Sequence, residues 1–193
     1  MQRIAIFASG TGSNAVKIIE HFKGHPTIQV SLVLSNNSSA PVLAKADTAG
    51  IETITFNRAI FYQTNKIVNE LKSRQIDLIV LAGFMWLVPE NIVRTYSNKI
   101  INIHPALLPK YGGKGMYGMH VHNAVKDAKE KETGITIHLV NEEYDKGEIL
   151  FQASCKLREN DTPETIAEKI HVLEHANFAS QIEHYLNTSI QSQ

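Results

Sequence analysis

Arg3-Ile4-Ala5-Ile6-Phe7-Ala8 leads directly into Ser9-Gly10-Thr11-Gly12-Ser13-Asn14-Ala15, and this junction decides the fold. The first run is short, apolar and β-branched, as a buried strand should be. The second is a glycine-rich turn that opens a helix. Free backbone N–H groups and the helix dipole make such a turn an anion site, because glycines let a phosphate come close to the main chain. Gly10-x-Gly12-x-x-Ala15 also satisfies a dinucleotide fingerprint. However, the next strand ends in Ser35-Asn36-Asn37, without the acidic residue that would hold a ribose hydroxyl pair. No Lys follows the glycines, so it is not a Walker loop. Ser13 and Asn14 suit a terminal phosphate better than a bridging pyrophosphate. A plain capped turn is the remaining alternative.

Outward from this unit, strand-like runs recur at 28–34, 53–56, 76–82, 100–103, 135–140 and 149–155. Helical patterns fall between them at 14–22, 42–49, 61–74, 89–96 and 121–128. A long final helix should begin after the Asp161-Thr162-Pro163 cap signal and run towards Leu186. Strands alternating with helices predict an α/β fold with a doubly wound, mostly parallel, Rossmann-like sheet. In such sheets ligands lie beyond the carboxyl ends of the strands, so the loops after Ala8, Leu34, Ala82 and Ile103 are where chemistry belongs. There is no repeat, linker or low-complexity tract, and we expect a single domain spanning 1–193.

Composition narrows the partners. The chain has 193 residues, 43% hydrophobic and 20% charged, with 19 basic and 19 acidic residues. That balance argues against a nucleic-acid surface, which needs clustered cations. Cys155 stands alone, so no intrachain disulfide or thiolate metal cage can form. No run reaches membrane-spanning length. A cytoplasmic protein without metal is expected.

Asn102-Ile103-His104-Pro105-Ala106-Leu107-Leu108-Pro109 closes the fifth apolar run. Alternation places Asn102 and His104 on one face of the strand. Two polar side chains there are expensive unless paired or used. Asn can hold a developing oxyanion and His is the usual acid or base near neutral pH; a satisfied core histidine with an Asn turn cap is the bland alternative. Asp145, within Glu142-Glu143-Tyr144-Asp145-Lys146-Gly147, is either a solvated acidic turn or a carboxylate that favours the charged histidine. Met85-Trp86-Leu87-Val88 is too apolar for an ordinary loop, and fits either the wall of a pocket for an aromatic ring or a buried helix entry.

These pieces together resemble the phosphoribosylglycinamide formyltransferases, the 10-formyltetrahydrofolate-dependent enzymes of purine biosynthesis. The blocks stand in order: the Ser9–Asn14 loop, Leu81-Ala82-Gly83-Phe84-Met85, Asn102-Ile103-His104-Pro105 with Leu107-Leu108-Pro109, Gly134-Ile135-Thr136-Ile137-His138, Asp145 with Gly147, and Glu174-His175. The resemblance covers nearly the whole chain. It implies that Asn102, His104 and Asp145 are catalytic, with Asp145 raising the pKa of His104. It implies that Gly12, Ser13 and Asn14 hold the phosphate of 5-phosphoribosylglycinamide, and that Glu174 binds its ribose or neighbouring polar groups. The co-substrate 10-formyltetrahydrofolate would lie against Arg58, Met85, Trp86, Leu87, Val88, Asn102 and the 140–145 loop. The expected division is a phosphate-binding N-terminal half and a folate-binding, catalytic C-terminal half, acting as a monomer or homodimer.

Two departures stand out. The segment Tyr111-Gly112-Gly113-Lys114-Gly115-Met116-Tyr117-Gly118-Met119 is longer than its family counterpart, and Lys146 and Glu148 flank Gly147 where small residues and proline are usual. His171-x-x-Glu174-His175 matches an inverted zinc motif, but lacks a separate third ligand element. His120-x-His122 reads as surface or substrate-loop histidines. Rival readings are a tRNA-directed formyltransferase, a formyltetrahydrofolate hydrolase, or a non-catalytic nucleotide-binding module; the first two normally carry additional domains.

Overall fold

The structure is a computed structural model that describes residues 1–189. Strand β1 (Gln2–Phe7) is followed by α1 (Ser13–Phe22), β2 (Ile28–Ser35), α2 (Pro41–Thr48) and β3 (Glu52–Thr55). Then come α3 (Arg58–Gln63), α4 (Lys66–Ser73), β4 (Leu78–Leu81), α5 (Glu90–Thr95) and β5 (Ile100–His104). The chain continues through α6 (Met119–Asp127), β6 (Glu132–Leu139), β7 (Ile149–Lys156) and α7 (Pro163–Ser189). It divides into two compact units, Met1–Asn102 and the chain from Ile103 onward.

In the first unit the strand order is β3-β2-β1-β4-β5, with every pairing parallel. The chain winds outward from β1 to β3, then returns to place β4 on the other side of β1. This is the doubly wound arrangement expected from the alternating pattern. Its core is aliphatic: Ile4, Ile6, Ile18, Leu32, Leu34 and Leu71 are fully excluded from water. Each such side chain contributes roughly 1.5–3 kcal/mol of burial. In the second unit β6 and β7 pair antiparallel, and α7 packs on both. Thus the five strands of the first unit run parallel to one another, β6 and β7 run antiparallel to each other, and the fold class is α/β.

The helix expected at 61–74 is two helices. Thr64 is extended, with φ −136° and ψ 163°. Its hydroxyl donates to the Ile60 carbonyl and accepts from the Lys66 N–H. The Asn91 amide donates to the Asn65 side chain at 2.9 Å. These local polar bonds offer the backbone an alternative to the helix ladder, which ends α3 and starts α4. Asn57 caps α3 by accepting from the Ile60 N–H.

Candidate active site

The topological switch in the first unit lies between β1 and β4, and two loops meet there. The Ser9 N–H donates to the Gly83 carbonyl at 3.1 Å, and the Ser9 hydroxyl accepts from the Met85 N–H at 3.1 Å. The glycine loop and the 85–88 segment are therefore tied together at the carboxyl edge of the sheet.

Gly12 ends the loop in the left-handed conformation, φ 71°, as the N-cap of α1. No side chain caps this helix and its first turn holds no acidic residue. The first-turn N–H groups thus keep the anion-binding character that the sequence suggested. Gly10 is open, with nothing within 4 Å of where a Cβ would stand, so a phosphate could approach its backbone. At Gly12, a Cβ would fall 2.3 Å from the Cγ2 of Val42. That glycine is demanded by packing against α2 as well as by its positive φ. Helix α2 holds the loop further: Lys45 Nζ donates to the Thr11 carbonyl at 2.7 Å. Asn14 is buried and Ser13 half-buried.

The segment expected to receive the folate ring begins at Met85, which is 52% exposed. The Arg58 guanidinium lies 4.8 Å over the Trp86 ring, a cation–π contact that joins two residues far apart in sequence. Trp86 also approaches Phe56, Phe61 and Tyr62, and the Tyr62 hydroxyl donates to the Leu87 carbonyl. Leu87 is half-buried. Val88 is only 5% exposed, so its side chain belongs to the core. Asn102, half-buried, is the last residue of this unit on β5.

The second unit holds a buried cluster of titratable side chains. His104, at the end of β5, is almost completely buried. Its Nε2 lies 2.7 Å from the Tyr111 carbonyl, which can only accept, so Nε2 carries the hydrogen. Nδ1 faces Asp145 Oδ2 at 3.6 Å. The same Oδ2 accepts from the Gly113 N–H at 2.8 Å. The glycine-rich segment is therefore bonded to both His104 and Asp145.

On the other side of the carboxylate, His138 Nε2 lies 3.6 Å from Oδ1, and its Nδ1 lies 2.8 Å from the Leu139 carbonyl. His138, beside the carboxylate, had no role in the residue-by-residue reading. Its signal was the two-residue alternation with Thr136 on β6. Thr136 Oγ1 donates to the Ala106 carbonyl at 2.7 Å and accepts from the Leu108 N–H at 2.9 Å, anchoring the segment that follows His104.

The electrostatics correct one expectation. Asp145 does favour protonation of His104, as does the Tyr111 carbonyl, but burial is the larger effect. The imidazole is held below its ordinary pKa. Asp145 is pushed up by burial, yet the neighbouring His138 ring, the His104 charge and the Gly113 N–H bring it below the usual carboxylate range. A second correction concerns His122, read as a surface or loop residue. It lies on α6, 4% exposed, with Nδ1 lacking a partner. Burial, aided by His171 and His104, lowers its pKa to about 4. Glu174 is buried on α7 at 7% exposure, and His171 and His175 stack at 6.2 Å. Among the described residues no group of three or more His, Cys, Asp or Glu side chains could hold a metal ion, and no helix is long and apolar enough to cross a membrane.

The formyl transferase family profile matches residues 2–182. The chain is 38% identical over 180 residues to the chloroplastic phosphoribosylglycinamide formyltransferase of Arabidopsis thaliana, covering 90% of this chain and 62% of that protein. It thus spans about three-fifths of the plant relative. Against the phosphoribosylglycinamide formyltransferase of Bacillus subtilis (strain 168), identity is 36% over 96% of this chain and 95% of that one. A crystal structure of the Bacillus halodurans phosphoribosylglycinamide formyltransferase aligns with TM-score 0.87 at 34% identity, over 97% of both chains. With a family match over almost its whole described length, the chain belongs to the formyl transferase family.

Proposed function

We propose that the protein transfers the formyl group of 10-formyltetrahydrofolate to the amino group of 5-phosphoribosylglycinamide, a step of purine biosynthesis. The observation that carries this reading is the buried His104–Asp145 pair, with His104 two residues after Asn102 on β5. Family membership and the printed names of the relatives support it. In this reading residues 1–193 act as one formyltransferase domain, cytoplasmic, as a monomer or homodimer, using no metal and no nucleic acid.

The roles follow from the chemistry. The substrate amine attacks the formyl carbon, forming the new C–N bond, and the bond to the folate nitrogen breaks. The carbonyl oxygen gains charge on the way, and the Asn102 amide is a donor suited to hold it. His104 in its charged form supplies the proton that the leaving nitrogen requires, from the Nε2 that otherwise donates to Tyr111, and the neutral ring regains a proton from the one the attacking amine gives up, while Asp145 stabilises the charged form. Gly12, Ser13 and Asn14 bind the substrate phosphate at the start of α1. Glu174 takes ribose or neighbouring polar groups. Arg58, with Met85, Trp86, Leu87, Val88 and Asn102, lines the folate site, where the Trp86 ring and the Arg58 guanidinium offer flat surfaces to an aromatic ring.

The test is a spectrophotometric assay of folate deformylation with and without phosphoribosylglycinamide. Turnover that requires the amine substrate is expected. Deformylation at the same rate without it would replace the transferase reading with a hydrolase.

A further inference from the structure

Both imidazoles beside Asp145 have one nitrogen committed to a backbone carbonyl. Nε2 of His104 is bonded to Tyr111 and Nδ1 of His138 to Leu139. Because a carbonyl oxygen only accepts, each neutral ring uses its single N–H there. The opposite nitrogen of each ring faces the carboxylate, at 3.6 Å in both cases. A neutral ring in that pose points a lone pair at a negative oxygen, whereas a cationic ring points a hydrogen at it. Both histidine side chains are at most 4% exposed, so water screens neither. One carboxylate compensates one imidazolium, and a second cation in the same buried site would be opposed by the first.

We propose that His138 is a positioning residue for formyl transfer, sharing one exchangeable proton with His104 across Asp145. This rests on the reading of His104 and Asp145 as the catalytic pair. His138 anchors Oδ1 and so directs Oδ2 towards His104 and the Gly113 N–H. Its own protonation state sets how much of the Asp145 charge is left for His104. When His138 is neutral, the carboxylate supports a charged His104; when His138 is charged, His104 is kept neutral. The arrangement is a pair of sites that titrate together. The other titratable groups acting here are His122 on α6, which feels the His104 charge, and His171 on α7, which acts on His122. The glycine-rich segment presents two backbone groups to the trio, the Tyr111 carbonyl and the Gly113 N–H.

The test is histidine ring NMR on the full chain through a pH titration, for the natural protein and for His138→Gln, alongside the pH profile of kcat. Gln retains a donor for Asp145 but cannot become charged. In the natural protein the His104 curve should have two inflections. In His138→Gln the His104 curve should become single and move to higher pH, carrying the same limb of the kcat profile with it. The KM for the phosphorylated substrate should change less than about twofold, since uniform binding is untouched. Independent single-site curves in the natural protein would overturn the proposal even if the variant did not fold. Uncoupled titration with full formyl transfer would overturn it while leaving the function intact. Coupled titration in a protein that transfers no formyl group would overturn the function and leave proton sharing standing.

Discussion

Replacing Asp145 by Asn isolates a charge. Asp145 sits at φ 54°, a left-handed conformation that Asn adopts as readily as Asp. The Asn oxygen can still accept from the Gly113 N–H, which the Asp145 carboxylate meets at 2.8 Å. Shape and backbone are therefore preserved. What disappears is a negative charge 3.6 Å from His104 Nδ1. At an effective dielectric of about 20, unit charges at that separation attract by roughly 4–5 kcal/mol. The Asp145 side chain is 12% exposed, so some of this is screened. Since about 1.4 kcal/mol is a factor of ten, kcat should fall by roughly two to three orders of magnitude. The decisive measurements are steady-state folate deformylation with saturating phosphoribosylglycinamide and the His104 titration read by NMR. Burial already holds the imidazole below its ordinary pKa, and without Asp145 its titration should move lower still. A fall in kcat under tenfold, a loss confined to KM, or an unmoved His104 titration would refute the argument.

Gly10→Ala meets no neighbour, so its melting temperature should stay within about 2 °C. Its KM for the phosphorylated substrate should nevertheless rise at least about tenfold if phosphate rests on that backbone; an unchanged KM would remove phosphate from the loop. Gly12→Val should instead lower stability, because the added atoms overlap Val42, and a stable variant would contradict the packing. His122 has its folded pKa lowered to about 4, so below about 6.5 the unfolded chain takes up a proton that the native one refuses. Stability attributable to this residue is complete at neutral pH and declines as pH falls from about 6.5 towards 4, by up to about 3 kcal/mol. Urea unfolding of His122→Met should show a flatter slope over that range, and parallel slopes would disprove the assignment. Finally, a Cβ at position 147 would lie 1.7 Å from the Leu139 carbonyl oxygen, the acceptor for His138. Gly147→Ala should cost more than about 2 kcal/mol in chemical unfolding, and a loss under 0.5 kcal/mol would mean that the 140–148 turn is free to shift.

The fold was legible because its signals are local. Strand and helix periodicities repeat over five to ten residues, and the seven strand positions follow from them to within a few residues of their observed ends. The 61–74 helix was misread because its interruption depends on Thr64 and Asn65 hydrogen bonds, including one to Asn91, which periodicity does not encode. Asn102 and His104 could be placed on one face because alternation along a strand is a property of the strand itself. Asp145 lies 41 residues beyond His104, and only the resemblance linked the two. The tertiary structure brought Oδ2 to 3.6 Å from that ring and set His138 on the opposite side. It also decided the sign of the histidine's shift. A carboxylate nearby can be guessed from sequence, but how far water is excluded depends on every element packed around the ring. Gly12 makes the same point at smaller scale: sequence suggests a ligand cradle, while the requirement for glycine comes from its left-handed φ of 71° and from Val42, brought from 30 residues away by the packing of α2 on the loop.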